Sequence, residues 1–214
     1  MRIGTIGAGE VARSFAAKAI TAGHHVELSN SRGPDSLALV IEALGAGVSA
    51  VTWEEAATNE VVLLAVPWPA VKASLGRLPA WEGRILIDAT NGFGEAGLLD
   101  FGDGSSSETV AVLAPGARVV KAVNSSFMTN FAKAPVHGDL RRALFVSGDD
   151  WAAKKVVADL FEAMGFAPVD LGSLKAGGRM QGVGATLAGH DFFLPWPAPR
   201  FFPGFNGHAS EAIA

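Results

Sequence analysis

Short apolar segments alternate with segments of helical periodicity along most of this 214-residue chain. The apolar run over residues 60–66 is continuous, which is typical of a strand buried on both faces of a parallel sheet. We expect strands over residues 3–6, 25–29, 48–51, 60–66, 84–88, 118–123, 143–147 and 167–171. The alternation predicts an α/β fold with a doubly wound, mainly parallel sheet of the Rossmann type. In such a sheet, ligands bind beyond the carboxyl ends of the strands.

The segments between the strands fall into two kinds. Residues 93–109 are rich in Gly, Ser and acidic residues and carry little apolar periodicity, so we expect a mobile surface loop there. The other segments predict helices. A helix should follow the first strand, and further helical segments are predicted over residues 34–44, 54–58, 67–78 and 151–164, with an irregular or helical piece over 125–133.

The chain is predicted to divide near residue 172. Residues 1–172 would form a nucleotide-binding domain, and residues 173–214 a small carboxyl-terminal segment, helical or irregular, that completes the cleft or makes a dimer contact. Prolines and aromatic residues are interleaved over residues 195–203, which excludes a long helix there. Two roles are open for these aromatic residues: a lid over the ligand, or the favoured role of a contact with a second subunit.

The turn after the first strand has the glycine spacing of a dinucleotide-binding site. Gly7 permits a tight turn, Gly9 lets a pyrophosphate approach the backbone, and Ala12 is small enough for the helix to pack on the strand. The N–H groups that open this helix would face the phosphates. The motif alone is a weak signal, but here a strand precedes it and a second strand follows about 20 residues later, as the fingerprint requires.

The residues after the second strand favour NADP over NAD. An acidic residue there would bond the ribose 2′-hydroxyl of NAD, whereas this chain has Asn30, Ser31 and Arg32. The Ser31 hydroxyl and the Arg32 guanidinium can hold a 2′-phosphate by charge-assisted hydrogen bonds. The competing interpretation is a polar turn with a solvated arginine, and the upstream glycines argue against it.

Composition excludes several functions. The formal net charge of −4 makes nucleic acid and anionic membranes poor partners. The absence of cysteine excludes disulfides and thiol catalysis, and no histidines stand at metal-ligand spacing beside carboxylates, so we expect no metal site. The absence of tyrosine excludes a Tyr-Lys proton relay. Without a signal-peptide or membrane-span pattern, we expect a cytoplasmic protein whose partner is a small-molecule substrate.

Six motifs in order carry a family resemblance: Ile-Gly-Ala-Gly-Glu-Val-Ala, Leu-Ser-Asn-Ser-Arg-Gly-Pro, Ala-Val-Pro-Trp, Asp-Ala-Thr-Asn, Val-Lys-Ala-Val-Asn and Gly-Asp-Asp. On these motifs the chain resembles the F420-dependent NADP oxidoreductase family over about residues 1–190. The resemblance implies that a Rossmann domain binds NADP, that hydride passes between nicotinamide C4 and the deazaflavin ring of F420, and that the protein is a homodimer.

The resemblance also implies which residues contact the cofactor. The turn after the first strand would line the pyrophosphate, Ser31 and Arg32 would hold the 2′-phosphate, and residues 66–68 would flank the adenosine and its ribose. Asn124 is expected to hydrogen-bond the substrate or the nicotinamide carboxamide. The full expected set is Gly7, Ala8, Gly9, Glu10, Val11, Asn30, Ser31, Arg32, Ala65, Val66, Pro67, Trp68, Asn91, Asn124 and Met128, the last three nearer the nicotinamide. No acid, base or nucleophile is assigned, because hydride transfer needs proximity and stacking.

The hydride acceptor is the open part of this prediction. The chain has Gly92 and Phe93 where many relatives have a proline after the asparagine, and its tail after His190 does not match the family's usual end. Both departures lie where a second substrate would sit. The alternatives are F420 or a similar deazaflavin, another small acceptor such as a flavin or an imine, and a non-catalytic NADPH-binding regulator.

Three further groups have two interpretations each. Lys121 is either a phosphate or substrate ligand, or a solvated charge at a strand end. His190 with Asp191 is either an acid pair near the cleft or, as we favour, a solvated helix end. Trp68 is either a hydrophobic plug or, as we favour, a cofactor contact, because it follows the carboxyl end of a central strand.

Overall fold

The apolar segments form one sheet flanked by helices in the computed structural model, which describes residues 1–197. The strands are β1 (Arg2–Ile6), β2 (His25–Leu28), β3 (Val48–Ala50), β4 (Val61–Leu64), β5 (Ile85–Asp88), β6 (Phe93–Gly94), β7 (Gly97–Leu98), β8 (Arg118–Ala122), β9 (Val136–His137), β10 (Leu140–Gly148), β11 (Ala167–Asp170) and β12 (Phe193–Pro195). The helices are α1 (Glu10–Thr21), α2 (Ala38–Leu44), α3 (Trp53–Ala56), α4 (Trp68–Leu75), α5 (Ser106–Leu113), α6 (Met128–Phe131), α7 (Trp151–Ala163) and α8 (Leu174–Gln181), with a 3₁₀ turn at Pro34–Leu37 before α2.

The main strands lie in the order β11-β10-β8-β5-β4-β1-β2-β3. All pairs from β3 to β8 are parallel, β10 runs antiparallel to β8, and β11 is parallel to β10. This is the mainly parallel α/β sheet that the sequence predicts. The chain winds outward from β1 in both directions, so the strand order reverses between β1 and β4. At such a switch point the loops diverge and leave a crevice for a ligand.

Alternate side chains of β4 enter two apolar cores, one on each face of the sheet. Val61 and Leu63 belong to the core that contains α1 and α7, while Val62 and Leu64 belong to the core that contains α3, α4 and α5. All four side chains are fully buried. The continuous apolar run in the sequence follows from this burial, because a strand covered on both faces has no polar face to present.

Residues 93–109 do not form the surface loop expected from their composition. They contain the short β6–β7 hairpin and the start of α5. Ser105 caps this helix, since its hydroxyl accepts from the Glu108 N–H at 3.3 Å while Glu108 accepts from the Ser105 N–H at 2.6 Å. This reciprocal pair is a capping box, and its Ser-x-x-Glu spacing is the signal that could have predicted the helix.

The carboxyl-terminal part packs back onto the sheet through α8. A Cβ at Gly177 would lie 2.6 Å from Ser147 Cβ, and one at Gly178 would lie 2.9 Å from Ser105 Oγ, so both glycines permit close packing of α8 on β10 and α5. The two-residue strand β9 and the three-residue strand β12 pair with β10. Among residues 1–197, no helix combines the length and apolar character needed to cross a bilayer. Residues 198–214, which hold most of the aromatic tail, lie outside the described residues.

Candidate functional site

Three adjoining cavities follow the carboxyl edge of the sheet across the switch point. The first, of about 310 Å³, lies between the turn after β1, the loop after β2, and α4. The second, of about 370 Å³, lies over the start of α1 and the ends of β4 and β5. The third, of about 340 Å³, reaches the loop after β8. Neighbouring cavities share wall residues, so we treat the three as one feature, the edge groove.

The turn after β1 depends on two glycines with different surroundings. Gly7 has φ of +110°, and a Cβ there would lie 2.3 Å from the Ala65 carbonyl oxygen, so no larger residue fits without a shift. At Gly9, a Cβ would meet no described atom within 4 Å. Gly9 is also the N-cap of α1, and no side chain within residues 1–197 caps this helix. Open space beside uncapped N–H groups at a helix start suits an anionic phosphate.

The loop after β2 is held by its own side chains. Asn30 Oδ1 accepts from the Arg32 N–H at 2.9 Å, and Asn30 Nδ2 donates to Ser36 Oγ at 2.9 Å. The Asn30 side chain therefore stabilises the turn. Ser31 is exposed and lines the first cavity, whereas Arg32 is exposed but is not among the wall residues of the edge groove.

Five wall residues of the first cavity were not expected from the sequence: Trp53, Ala70, Ala73, Ser74 and Arg77. The guanidinium carbon of Arg77 lies 5.5 Å from the centre of the Trp53 ring. Both residues line the cavity together with Ala70 and Ala73. The spacing of Ala70 and Ala73 could have predicted part of this wall, because residues three apart share one face of a helix, whereas Arg77 lies beyond the end of α4.

Two asparagine amides meet where the second and third cavities join. Asn124 Nδ2 donates to Asn91 Oδ1 at 3.1 Å and to the Gln181 carbonyl at 2.8 Å, and Asn91 Nδ2 donates to the Asn124 carbonyl at 3.1 Å. Asn124 is 8% exposed, and its Oδ1 has no hydrogen-bond partner within residues 1–197. A buried acceptor without a partner in the wall of a cavity suits a ligand that carries an N–H group.

The backbone before Asn124 is strained. Val123 has φ of +70°, a left-handed conformation that β-branched residues rarely adopt, and its side chain is fully buried in the core. Such a conformation costs about 1–3 kcal/mol and persists only where the surroundings enforce it. The left-handed backbone at Val123 turns the chain away from β8 directly before Asn124.

A buried ion pair lies beneath the asparagines. Lys121 Nζ is 3.1 Å from Asp88 Oδ2 and donates to the Thr90 carbonyl at 2.9 Å, and both charged side chains are 0% exposed. Asp88 also accepts from the Thr90 N–H at 2.9 Å, from the Thr90 hydroxyl at 2.6 Å and from the Ser107 hydroxyl at 2.5 Å. Both interpretations of Lys121 from the sequence are therefore wrong: it is neither a ligand in an open cavity nor a solvated charge, because it is paired inside the fold.

Aromatic rings border the second and third cavities. Phe93 is 47% exposed at the second cavity, and Phe127 is 62% exposed at the third. Trp68 lines the second cavity and also packs on the core, and its ring meets Phe101 edge to face with centroids 5.2 Å apart. The groove therefore has apolar faces on either side of the asparagine pair.

The structure brings together all but one of the residues expected at the cofactor. The edge groove is lined by Gly7, Ala8, Gly9, Glu10, Val11, Asn30, Ser31, Ala65, Val66, Pro67, Trp68, Asn91, Asn124 and Met128. Only Arg32 is absent from these walls. His190 and Asp191 do not form an acid pair at the groove, because Asp191 pairs with Arg142 at 2.6 Å while the His190 ring lies against Phe192.

Comparison with known proteins agrees with this geometry. The family model for F420-dependent NADP oxidoreductases matches residues 2–92. A hypothetical protein, SMa0349 of Sinorhizobium meliloti, has a solved structure that is 38% identical to the chain, with a TM-score of 0.84 over 90% of this chain and 94% of that one. A candidate F420-dependent NADP reductase of Arthrobacter sp. FB24 is 28% identical, with a TM-score of 0.70 over 81% of this chain and 86% of that one. On these matches the chain is similar to the F420-dependent NADP oxidoreductase family, whose model covers its amino-terminal residues 2–92.

Members of other protein classes share parts of the fold or the sequence. The metalloreductase STEAP3 of Rattus norvegicus is 30% identical over 87% of this chain. The chain spans only 37% of that protein's length, so the similarity concerns one region of a longer relative. A reductive aminase of Aspergillus terreus, solved with NADPH, is 20% identical with a TM-score of 0.59 over 82% of this chain and 56% of that one, which shows the shared fold.

Proposed function

We propose that this protein transfers hydride between the nicotinamide of NADP(H) and a planar heteroaromatic acceptor of the deazaflavin type, F420. The observation that carries the proposal is the edge groove itself. It runs from an uncapped helix start to a pair of asparagine amides, and apolar rings border it at the amide end.

The groove residues fit the cofactor. Gly9 and the first N–H groups of α1 would hold the pyrophosphate, and Ser31 with Arg32 would hold the 2′-phosphate. The unpaired Oδ1 of Asn124 would accept from the nicotinamide carboxamide. NADP(H), when bound, supplies the hydride carbon, and the chain contributes orientation and exclusion of water.

The aromatic rings favour a planar acceptor. Exposed Phe93 and Phe127 flank the asparagine pair, where a flat heterocycle could stack beside the nicotinamide. Hydride transfer between two rings requires close parallel planes and no acid or base. The wall at this end of the groove carries the two asparagine amides and apolar groups, and the proposal gives no acid–base role to Glu10, which also lines it.

The test is a two-step titration of the chain. In the first step, NADPH should quench tryptophan fluorescence with a lower dissociation constant than NADH. In the second step, oxidised F420 is added, and we expect its visible absorbance to disappear as it is reduced. Tight NADPH binding without bleaching of F420 would contradict the deazaflavin acceptor and direct the search to imines or to a sensing role. The homodimer implied by the family is part of the proposal and is checked by sedimentation of the same sample.

A second candidate acceptor is a flavin, favoured by the similarity to a metalloreductase over 87% of this chain. Nicotinamide gives two electrons as hydride whereas a metal ion takes one at a time, so a flavin would have to stand between them. Adding FMN or FAD with a ferric chelate distinguishes the cases. Reduction of the chelate that requires flavin supports this candidate, and reduction of F420 alone supports the first.

A further inference from the structure

We propose that Arg77 and Trp53 form the seat of the adenine ring, so that Arg77 sets affinity for NADPH and NADH alike. Discrimination of the 2′-phosphate would then belong to Ser31 and Arg32. The inference rests on the proposed function, because it takes NADP(H) as the ligand of the edge groove.

The first cavity has the size and lining of a site for a flat ring. Its volume of about 310 Å³ lies at the lower end of the range for ligand pockets, about 300–1,000 Å³. On the α4 side the wall carries Ala70 and Ala73, whose methyl groups leave a shallow apolar surface. A purine has apolar faces, so this wall suits the base, whereas the phosphates suit the N–H groups of the turn after β1.

Arg77 is the charged side chain of this wall, and its charge is not paired. Within residues 1–197 no carboxylate lies within ion-pair distance of its guanidinium, in contrast to Arg142 and Arg2, which pair with Asp191 and Glu27. Its partner is the face of Trp53, 5.5 Å away. A guanidinium held against one aromatic ring is a flat cation, which is the group best suited to stack on a second ring.

Trp53 is fixed before any ligand arrives. It is the first residue of α3, directly after the N-cap Thr52, whose hydroxyl accepts from the Glu55 N–H at 3.2 Å while Glu55 accepts from the Thr52 N–H at 2.8 Å. The ring also packs against the core that contains α4. A wall ordered in advance loses little conformational entropy on binding, which favours affinity.

The experiment measures dissociation constants for NADPH, NADH and 5′-ADP with five variants, four of them changes of an arginine and the fifth a change of Trp53. Arg77→Ala should weaken all three ligands by the same factor, about tenfold. Arg77→Lys should lose most of that affinity as well, because the ammonium keeps the charge but not the plane. Arg32→Ala should weaken NADPH alone. Arg2→Ala, which removes an arginine at the amino end of β1, should change none of them.

Four results would overturn the proposal. A loss with Arg77→Ala that is confined to NADPH would make Arg77 a ligand of the 2′-phosphate, and no loss at all would remove it from the site. Full affinity in Arg77→Lys would show that charge alone matters. Trp53→Phe, which keeps an aromatic plane in the core, should weaken NADPH and NADH equally, and an unequal effect would also count against the adenine seat.

The outcomes separate this inference from the proposed function. Binding of 5′-ADP reports on the adenine seat without any hydride transfer, whereas bleaching of F420 reports on the acceptor. If 5′-ADP binds and Arg77→Ala leaves its affinity unchanged, the adenine seat is wrong and the proposed function stands. If NADPH binds with the expected dependence on Arg77 but F420 is not reduced, the acceptor is wrong and the adenine seat stands.

Discussion

The two ends of the edge groove are built by different means. At the glycine end, formed around the turn after β1 and the loop after β2, this loop is held by contacts between near neighbours in sequence, such as that of Asn30 Oδ1 with the Arg32 N–H. Other parts of the wall come from more distant segments, including α4. At the amide end, formed by Asn91 and Asn124, the contacts join residues far apart: Asn124 reaches Asn91 across 33 positions and Gln181 across 57. The phosphate-facing turns of the glycine end are therefore recognisable from local sequence, whereas the amide end depends on contacts across the whole fold.

Substitutions at the two ends should therefore have different consequences for binding and for stability. A local turn can lose ligand binding while the fold survives, because few other contacts depend on it. The amide end rests on a buried ion pair and a strained valine, so substitutions there disturb stability first. Variants at the two ends should therefore separate stability from binding.

Replacing Lys121 by methionine should have the largest effect. The change leaves Asp88 charged and fully buried without its cation, and breaking a buried pair in this way costs about 3–5 kcal/mol. We expect the free energy of unfolding in urea to fall by about that amount. The surface pair of Arg2 and Glu27 provides the control, since Arg2→Ala should cost less than about 1 kcal/mol.

A second substitution checks the cause of that loss. Lys121→Met combined with Asp88→Asn removes the buried charge and should recover part of the stability. If Lys121→Met alone were no worse than Arg2→Ala, the ion pair would contribute little and the amide end would not depend on it.

Gly9→Val, at the glycine end, should weaken ligand binding and leave stability nearly unchanged. A Cβ at Gly9 meets no described atom within 4 Å and φ is −75°, so we expect the free energy of unfolding to change by less than about 1 kcal/mol. The added side chain would fill the space of the pyrophosphate, and losing two charge-assisted bonds of about 1.5 kcal/mol each weakens NADPH by about 100-fold. Calorimetric titration with NADPH measures this loss.

Gly7→Ala is the matched variant in the same turn. With φ of +110° and the Ala65 carbonyl oxygen 2.3 Å from the new Cβ, it should destabilise the fold itself. Equal stability losses for the two glycine variants would contradict the separation of local binding from global stability.

The same contrast explains what could be predicted from the sequence. Gly7, Gly9 and Ser31 are recognisable because a local motif has one geometric meaning wherever it occurs. Lys121 could not be placed, since its neighbour Asp88 lies 33 positions away and only the pairing of β5 with β8 brings them together. Arg77, which follows α4, was missed for the same reason, because its partner Trp53 lies in α3, far from it in sequence.

Secondary structure follows the same rule. The parallel strands were predicted because a continuous apolar run indicates a buried strand without reference to the rest of the chain. The start of α5 was missed because Ser105, Ser106 and Ser107 resemble loop residues until the Ser105–Glu108 box is noticed, and all three are buried only through contacts with the rest of the fold. The side chains of α8 give no apolar stripe either, since Gly177 and Gly178 replace it at the contact.

Asn124→Ala should affect turnover more than cofactor binding. The amide also donates to Asn91 and to the Gln181 carbonyl, so its loss should lower the free energy of unfolding. Because it orients one end of the proposed ligand, kcat should fall about tenfold while the dissociation constant of NADPH changes by less than about threefold. The readout is steady-state reduction of F420. Asn130→Ala, in α6 but not among the groove walls, is the control and should change neither quantity. An equal loss in binding and turnover would assign Asn124 to ground-state binding and weaken the distinction between the two ends.

The smallest effects concern the two capping boxes, one near each end of the groove. Ser105→Ala and Thr52→Ala each remove an N-cap hydroxyl, which costs about 0.5–2 kcal/mol. Ser105 is 5% exposed and its Oγ faces Gly178 of α8, whereas Thr52 is less buried and caps only α3. We therefore expect Ser105→Ala to lie toward the upper limit and Thr52→Ala toward the lower, as measured by urea unfolding.

The pH dependence of the Thr52 box gives the last test. Hydrogen bonds from the backbone and hydroxyl of Thr52 lower the pKa of the Glu55 carboxyl. A lowered pKa in the folded state means that this stabilisation is present above the ordinary pKa of a glutamate and is lost as the pH falls through the lowered value. Thr52→Ala removes the hydroxyl bond but keeps the backbone N–H, so the pKa of Glu55 should rise only part of the way to its ordinary value, as followed by NMR titration. This capping box holds Trp53 at the start of α3. If the pKa of Glu55 were unchanged, the packing of the Trp53 ring on the core, and not the cap, would fix this wall of the groove.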